Sequence, residues 1–339
     1  MHWSKVFNQF SKLDDSEKFK LFRAIKESLF GDADPEPSTL VTNIREARFN
    51  KGITCVYCGC DKVRRNGHYR DRQRYICTSC KRTFNDLTHS PLAGTWYLER
   101  MIQYFDLLVK GETLKTCADS LMISMSTSFF WRHKILSALC ANDFDYLSGI
   151  VEADETMFLE SYKGTKNIEF RKPRKRGGKA KKRGLSDEQV AVLVGIDRKD
   201  NIVSKVAGRG KTTANEVAAV LKDKIDSKAE FCSDAATNFK SFAKDENLKH
   251  RVINASKGQR VLKGIYHIQH ANSYHKRLKS WMERFGGVAT KYLNNYLYWF
   301  YILEKCKSVD HYKKYKELLL NSNLIPIRVL CKNFRPCLN

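Results

Sequence analysis

The stretch GIVEADETMFLE (149–160) decides how this chain is read. Successive side chains of a β-strand point to opposite faces. Glu152, Asp154 and Thr156 therefore share one face, and Val151, Ala153 and Glu155 share the other. A carboxylate in a buried strand costs free energy unless it is paired or bound to a metal. Asp154 is thus the first candidate for chemistry. Glu152, on the same face, is either a helper or half of a structural ion pair.

Downstream, QVAVLVGID (189–197) and NIVSKVAG (201–208) read as a hairpin around DRKDN. TANEVAAVLKDKI (213–225) is an amphipathic helix with Val217, Val220, Leu221 and Ile225 inward. AEFCSDA (229–235) is a strand ending on Asp234, followed by a helix around 236–246 and a short strand in HRVINAS (250–256). The order strand, strand, strand, helix, strand, helix, strand, helix matches a ribonuclease H-like α/β core with a mixed sheet. That fold implies that the first strand lies beside the fourth, which brings Asp154 and Asp234 together.

The last helix of this core is HIQHANSYHKRLKSWMERF (267–285). Ala271, Tyr274, Leu278, Trp281, Met282 and Phe285 form an apolar stripe, while Asn272, Lys276, Lys279 and Glu283 share a polar face. Seven residues return to nearly the same direction, so Asn272 and Lys279 stand two turns apart on one side. They suit a metal site and a nearby phosphate; the plainer alternative is a solvated helix face. Glu283 shares that face but lies about 16 Å further along the axis, too far to replace Asn272.

Upstream, Cys55, Cys58, Cys77 and Cys80 form two C-x2-C pairs separated by eighteen residues. Two such knuckles aim four thiolates at one tetrahedral zinc, with the hairpin between them as a ribbon. The hairpin is polar and basic (Lys62, Arg64, Arg65, Arg70, Arg72, Arg74), so metal must replace a missing core. Cys60 is an alternative ligand or a spare thiol. Between the ribbon and the core, KGETLKTCADSLMISMSTSFFWRHKILSAL (110–139) has the layout of a helix-turn-helix. Leu114, Ala118 and Leu121 give its first helix a buried face, Met122–Ile123 is the turn, and Ser124 or Ser126 caps the second helix. Ser126, Thr127, Ser128, Arg132 and Lys134 are its candidate DNA contacts, with Phe129, Trp131 and Ile135 inward. An ordinary helical pair in a core is the alternative.

Composition agrees with a nucleic-acid partner. Lys and Arg number 61 against 37 Asp and Glu, a formal net charge of +24 among 339 residues. Such an excess opposes compaction, and phosphate is its economical counterpart. Segment 163–184 holds eleven basic residues and one acid, Glu169, and its Arg174, Lys175 and Arg176 are candidate backbone contacts; a charged loop disordered in the free protein is the plainer reading. The opening MHWSKVFNQFSKLDDSEKF carries early acids, unlike a signal core, and no run approaches the roughly 18 apolar residues of a membrane span. The eleven cysteines are then expected to be reduced or metal-bound, and the protein cytoplasmic, nucleoid-associated in a prokaryote.

With these motifs in hand, the chain resembles zinc-ribbon insertion-sequence transposases of the Merlin type, which carry a DDE-like ribonuclease H core. The matching stretches are CVYCGCDKVRRNGHYRDRQRYICTSCKRTFNDLTHSPL, the helix-turn-helix, VEADETMFLE, FCSDAATNF and HIQHANSYHKRLK. The resemblance implies that Asp154 and Asp234 are the first two acids, that Asn272 stands at the third position in place of the usual Glu, and that Lys279 is the basic residue seven positions on. It further implies two catalytic Mg²⁺ or Mn²⁺ ions held by Asp154, Asp234 and Asn272, a structural Zn²⁺, double-stranded DNA partners (terminal inverted repeats and target), and a homodimer or larger assembly. Asn offers a neutral oxygen, a weaker Mg²⁺ ligand than carboxylate.

The expected architecture is multidomain α+β. It comprises a helical segment and linker (1–40), the zinc ribbon (50–90), the helix-turn-helix region (96–146), a ribonuclease H-like catalytic domain (148–305, with the basic insertion 163–184) and a tail (306–339). The activity expected is metal-dependent phosphodiester cleavage and strand transfer. The alternative is a weak or inactive transposase-derived DNA-binding regulator; a nuclease without strand transfer would share the core and differ only in products.

Overall fold

In a computed structural model, residues 3–327 are described apart from 15–16, 19, 22–23, 26–36, 70–71, 166, 170, 173, 175–176, 179, 183 and 255–256. Helices α1 (Trp3–Ser11) and α2 (Pro37–Arg48) lie before a small sheet of β1 (Val63–Tyr69), β2 (Arg72–Cys77) and β3 (Thr83–Asn85). Helices α3 (Leu98–Val109), α4 (Leu114–Ser120) and α5 (Met125–Leu139) follow. The core then runs β4 (Ile150–Leu159), β5 (Gln189–Asp197), β6 (Ile202–Arg209), α6 (Ala214–Leu221), β7 (Glu230–Asp234), α7 (Thr237–Asp245), β8 (Lys249–Ile253) and α8 (Gln269–Glu283). Helices α9 (Leu293–Lys305) and α10 (His311–Leu324) close the described chain.

The five core strands lie in the order β6-β5-β4-β7-β8. β4 pairs antiparallel with β5 and parallel with β7; β5–β6 is antiparallel and β7–β8 parallel. This is the mixed, ribonuclease H-like sheet that the element order implied, with the first strand beside the fourth. Both of its faces are covered. Val151, Ala153, Leu193 and Phe231 pack with Val217 and Phe242 of α6 and α7 on one side. Val192, Val194 and Ile196 pack with Tyr274 and Leu278 of α8 and with Trp299 of α9 on the other. The split of Leu193 from its neighbours Val192 and Val194 is the strand alternation, and burial on both faces explains why β5 reads as an uninterrupted apolar run.

The second of these cores extends through Leu40 and Ile44 of α2, Phe105 of α3, Ile135 of α5 and Leu318 of α10. The helix-turn-helix region and the sheet therefore share apolar packing across the boundary drawn at 146–148. The tail (306–339) is given no assignment by the sequence; in the structure its helix α10 buries Tyr315, Leu318 and Leu319. Helix α2 begins inside the segment read as linker, with Pro37 in its first turn, where a missing N–H costs nothing. The rest of the linker GDADPEPST (31–39), residues 31–36, lies outside the described residues, as do Cys331 and Cys337 of the tail.

Candidate active site

The β4–β7 register sets the two aspartates. Ile150, Val151 and Glu152 pair with Glu230, Phe231 and Cys232, and Asp154 and Asp234 each follow two residues beyond the last pair, on the same face of their strands. Asp234 ends its strand, and its Oδ1 accepts from the amide of Ala236 at 3.0 Å, fixing the turn into α7. Burial pushes the Asp154 carboxyl up to about 7, with the Asp234 and Glu155 carboxylates adding to the effect and the Lys279 ammonium opposing it. Asp154 thus lies within electrostatic reach of both Asp234 and Lys279.

Helix α8 crosses this face of β4. Ala271, Tyr274, Leu278, Trp281 and Met282 are buried, as the stripe requires, while Asn272 and Lys279 are exposed. His275, absent from the sequence reading, is also buried: its Nδ1 lies 3.6 Å from Asp154 Oδ2, and its Nε2 is buried with no partner. Burial pushes this ring down to about 4, and the Lys279 ammonium adds to the shift. The ring sits between the apolar stripe and the polar face, so periodicity alone assigned it to neither.

Glu152 is fully buried and belongs to a structural cluster. Its Oε2 accepts from the backbone amides of His270 (2.8 Å) and Ala271 (3.2 Å), the first turn of α8. Its Oε1 meets Arg198 Nη1 at 2.5 Å, His270 Nδ1 at 2.7 Å and His267 Nδ1 at 3.2 Å. Glu152, His267 and His270 have the residue types and spacing of a metal site. The Arg198 guanidinium, which also touches His270 Nδ1 and donates to the Ile265 carbonyl at 2.8 Å, already supplies a cation there. The ion-pair alternative for Glu152 is the arrangement observed. On the opposite face, Glu155 accepts from Thr212 Oγ1 and from Asn238 Nδ2 (2.7 Å).

The four cysteines converge. Their sulfurs lie within 4.8 Å of one another, with Cys55–Cys80 at 3.6 Å and Cys58–Cys77 at 3.7 Å. Four ligands about 2.3 Å from a tetrahedral zinc stand at such separations. Each knuckle turns through a left-handed residue just after its second cysteine: Gly59 (φ 74°) and Lys81 (φ 58°). Their amides close the turns onto the Cys55 and Cys77 carbonyls at 2.8 and 2.9 Å. Cys60 points elsewhere, its sulfur 3.1 Å from Ser79 Oγ. Apart from the cysteines, Tyr75 and Phe84 are the buried residues of the cluster around this site among the described residues.

The helix-turn-helix layout is present, with Thr113 capping α4, Ser124 capping α5 and Met122 left-handed (φ 50°) in the turn. The proposed reading face needs correction. Ser128, Arg132 and Lys134 are buried because α5 is packed against α4, α9 and α10 rather than lying open. Ser128 Oγ donates to the Leu114 carbonyl at 2.9 Å and Lys134 Nζ to that of Ala93 at 2.7 Å. Arg132 donates to the Glu112 carbonyl at 2.6 Å beneath the Trp299 ring. Ser126 is exposed and Thr127 half-buried, so the accessible surface is the first turn of α5 beside Met122, 79% exposed. In the basic insertion Arg174 pairs with Glu188 at 3.5 Å, while Lys175 and Arg176 lie outside the described residues.

Residues 146–300 match the sequence profile of the ISXO2-like transposase domain. An uncharacterized protein in transposable element ISH50 of Halobacterium salinarum is 26% identical over 261 residues, 75% of this chain and 86% of the relative. The Mos1 strand transfer complex aligns over 66% of this chain and 78% of that chain at 12% identity with a TM-score of 0.22. The pre-cleavage Mos1 transpososome aligns over 62% and 75% at 12% identity with a TM-score of 0.18. At those TM-scores the likeness carries no argument about geometry. The resemblance to insertion-sequence transposases read from the motifs is borne out by the domain match and by the relative. Among the described residues no helix is long and apolar enough to cross a membrane.

Proposed function

We propose that this chain is a DNA transposase of the Merlin type that binds the terminal inverted repeats of its insertion sequence and performs phosphodiester hydrolysis and strand transfer. The observation that carries the reading is that Asp154 and Asp234 stand on neighbouring parallel strands, close enough for the Asp234 carboxylate to help push the Asp154 carboxyl up, within a segment that matches a transposase domain. Two carboxylates that influence one another electrostatically, one of them pushed up to about 7, suit a divalent cation, which would remove the cost of ionising both. Asp154 and Asp234 would hold Mg²⁺ or Mn²⁺, with Asn272 at the third position. When bound, such ions supply an activated water or 3′-hydroxyl and stabilise the leaving oxygen.

The protein's own groups do the rest. Asp154 must give up its proton before it can bind a cation. Lys279, exposed beside the pair, favours that loss and contacts a backbone phosphate as a positioning group. Glu152 and Arg198 fix the start of α8 against β4 and so set Asn272 and Lys279 relative to Asp154. The four cysteines hold a structural Zn²⁺, and the ribbon (50–90), the first turn of α5 with Ser126 and Thr127, and the basic insertion (163–184) bind double-stranded DNA, the last through its backbone. Two DNA ends must be held together, so the working form is a homodimer or larger assembly on the chromosome, in the cytoplasm.

The exposed, neutral Asn272 favours a second reading: a transposase-derived DNA-binding regulator with weak or no catalysis. One experiment separates the readings. Purified protein is incubated with labelled DNA carrying the element's terminal repeats and Mg²⁺ or Mn²⁺. End cleavage with joined products supports the transposase, binding without either product supports the regulator, and cleavage without joining points to a nuclease.

A further inference from the structure

We infer that the cavity between the ribbon and α5 is a phosphate-binding site, with Arg72, Lys134 and Ser90 as its ligands; that the phosphate belongs to DNA rests on the DNA-binding reading above. The cavity holds about 400 Å³, many times the roughly 30 Å³ of one water. Separate parts of the chain wall it. Tyr57 comes from the first knuckle, Arg72 from the start of β2, Ser90 and Gly94 from the loop before α3, and Lys134 from α5. Nothing lies within 4 Å of where a Cβ at the exposed Gly94 would stand, so this side is open to a ligand.

The lining is rich in donors and cations. Lys134 is 8% exposed, so its positive charge is held inside the protein. Its Nζ donates to the Ala93 carbonyl at 2.7 Å, a neutral partner that solvates the ammonium without cancelling its charge. Ser90 is 1% exposed and its hydroxyl is buried with no hydrogen-bond partner, an arrangement that costs free energy until a ligand supplies one. Arg72 brings a second cation, and among the described residues no aspartate or glutamate lines the cavity. Asp86 is buried outside the lining; burial pushes its carboxyl up toward the neutral form, against the pull of Arg72. Two cations and an uncommitted hydroxyl match the charge and the acceptor oxygens of a phosphate. Lys134, buried away from the reading face of α5, thereby regains a part in binding. A backbone phosphate held here ties the ribbon and α5 to one DNA strand.

The test uses the full-length, zinc-loaded protein with two probes, terminal-repeat duplex and inorganic phosphate. Ser90→Ala removes only the orphan hydroxyl, so its melting temperature should hold or rise. Its affinity for the duplex is expected to fall about tenfold, the loss of one hydrogen bond to a charged group. Arg72→Gln is expected to weaken binding and to lower the slope of log affinity against log salt by about one. The double variant should lose less than the two losses combined, because both groups hold one phosphate. Inorganic phosphate that binds wild type calorimetrically and neither variant, with duplex binding unaltered, supports the site with the free ion as its ligand. Variants that match wild type toward both probes overturn the inference, and duplex binding by wild type then leaves the DNA reading standing. Weaker binding that tracks a lower melting temperature in Ser90→Ala makes that residue structural and overturns it equally. If wild type binds neither probe, the inference and the DNA reading both fall.

Discussion

Glu152 Oε2 accepts the backbone N–H of His270 at 2.8 Å, so a buried strand carboxylate caps the first turn of α8. The helix has no side-chain cap of its own at Ile268. A negative group at a helix N-terminus is stabilised by the unpaired amides and by the helix dipole. Here it also ties the strand carrying Asp154 to the helix carrying Asn272, His275 and Lys279. Glu152→Ala orphans two amides and leaves Arg198 without its acid, and is expected to cost roughly 2–4 kcal/mol. Urea denaturation measures this; Glu152→Gln, which keeps one acceptor, should lose less. A neutral effect of the alanine would remove Glu152 from its positioning role.

Divalent-cation affinity should rise with pH. The Asp154 carboxyl, pushed up to about 7 by burial, keeps its proton in acid and must release it to bind a cation. Calorimetric titration with Mn²⁺ is expected to show affinity falling toward tenfold per unit below about pH 7. Lys279→Met removes a cation that favours ionisation and should move the midpoint upward. In the metal-free protein the sign is opposite. The folded chain holds a proton that the unfolded chain releases near the ordinary value of 3.8, so this group's stabilisation is complete below that value and is lost as pH climbs to about 7. Asp154→Asn should flatten stability across that window.

The ribbon should depend on its metal. With little beyond Tyr75 and Phe84 buried, the three short strands lack a core of their own. Elemental analysis is expected to find one zinc per chain. Cys77→Ser or a strong chelator should open this module to proteolysis while the β4–β8 sheet stays resistant. A metal-free ribbon that resists the protease would contradict the site.

Arg132 and Ser126 should behave differently although the sequence groups them. Arg132 is buried under Trp299 and bonded to the Glu112 carbonyl, so Arg132→Ala is expected to lower stability by about 3 kcal/mol, with any loss of DNA binding following from unfolding. Ser126→Ala should leave stability within about 0.5 kcal/mol and change DNA affinity or base preference. Denaturation and binding curves on the same two variants separate these effects.

The contrast shows where the sequence is legible. Strands β4 to β8 and the helices among them follow from alternation and helical periodicity, because one-sided or two-sided burial leaves a pattern in the residues themselves. The C-x2-C pairs announce a site because two short turns fix four sulfurs locally. Helix α5 misled because its burial comes from tertiary packing, by α4 and the nearby Ala93 and Glu112 carbonyls as well as by α9 and α10 more than 150 residues away, so polar residues near its start looked like an open face. Arg198 and His275 were missed for the same reason: their partners Glu152 and Asp154 are brought in by tertiary packing. The absent cap at Ile268 was the one local hint that a distant acid serves α8.

The central claim is tested most directly by DNA cleavage with Asp154→Ala and Asp234→Ala beside the wild type, on labelled terminal-repeat DNA with Mn²⁺. The account predicts cleavage and joining by the wild type. Each variant should lose both activities, by at least about a thousandfold, while DNA affinity stays within roughly threefold. Cleavage retained by either variant, or by neither variant nor wild type on DNA that all three bind, would contradict it.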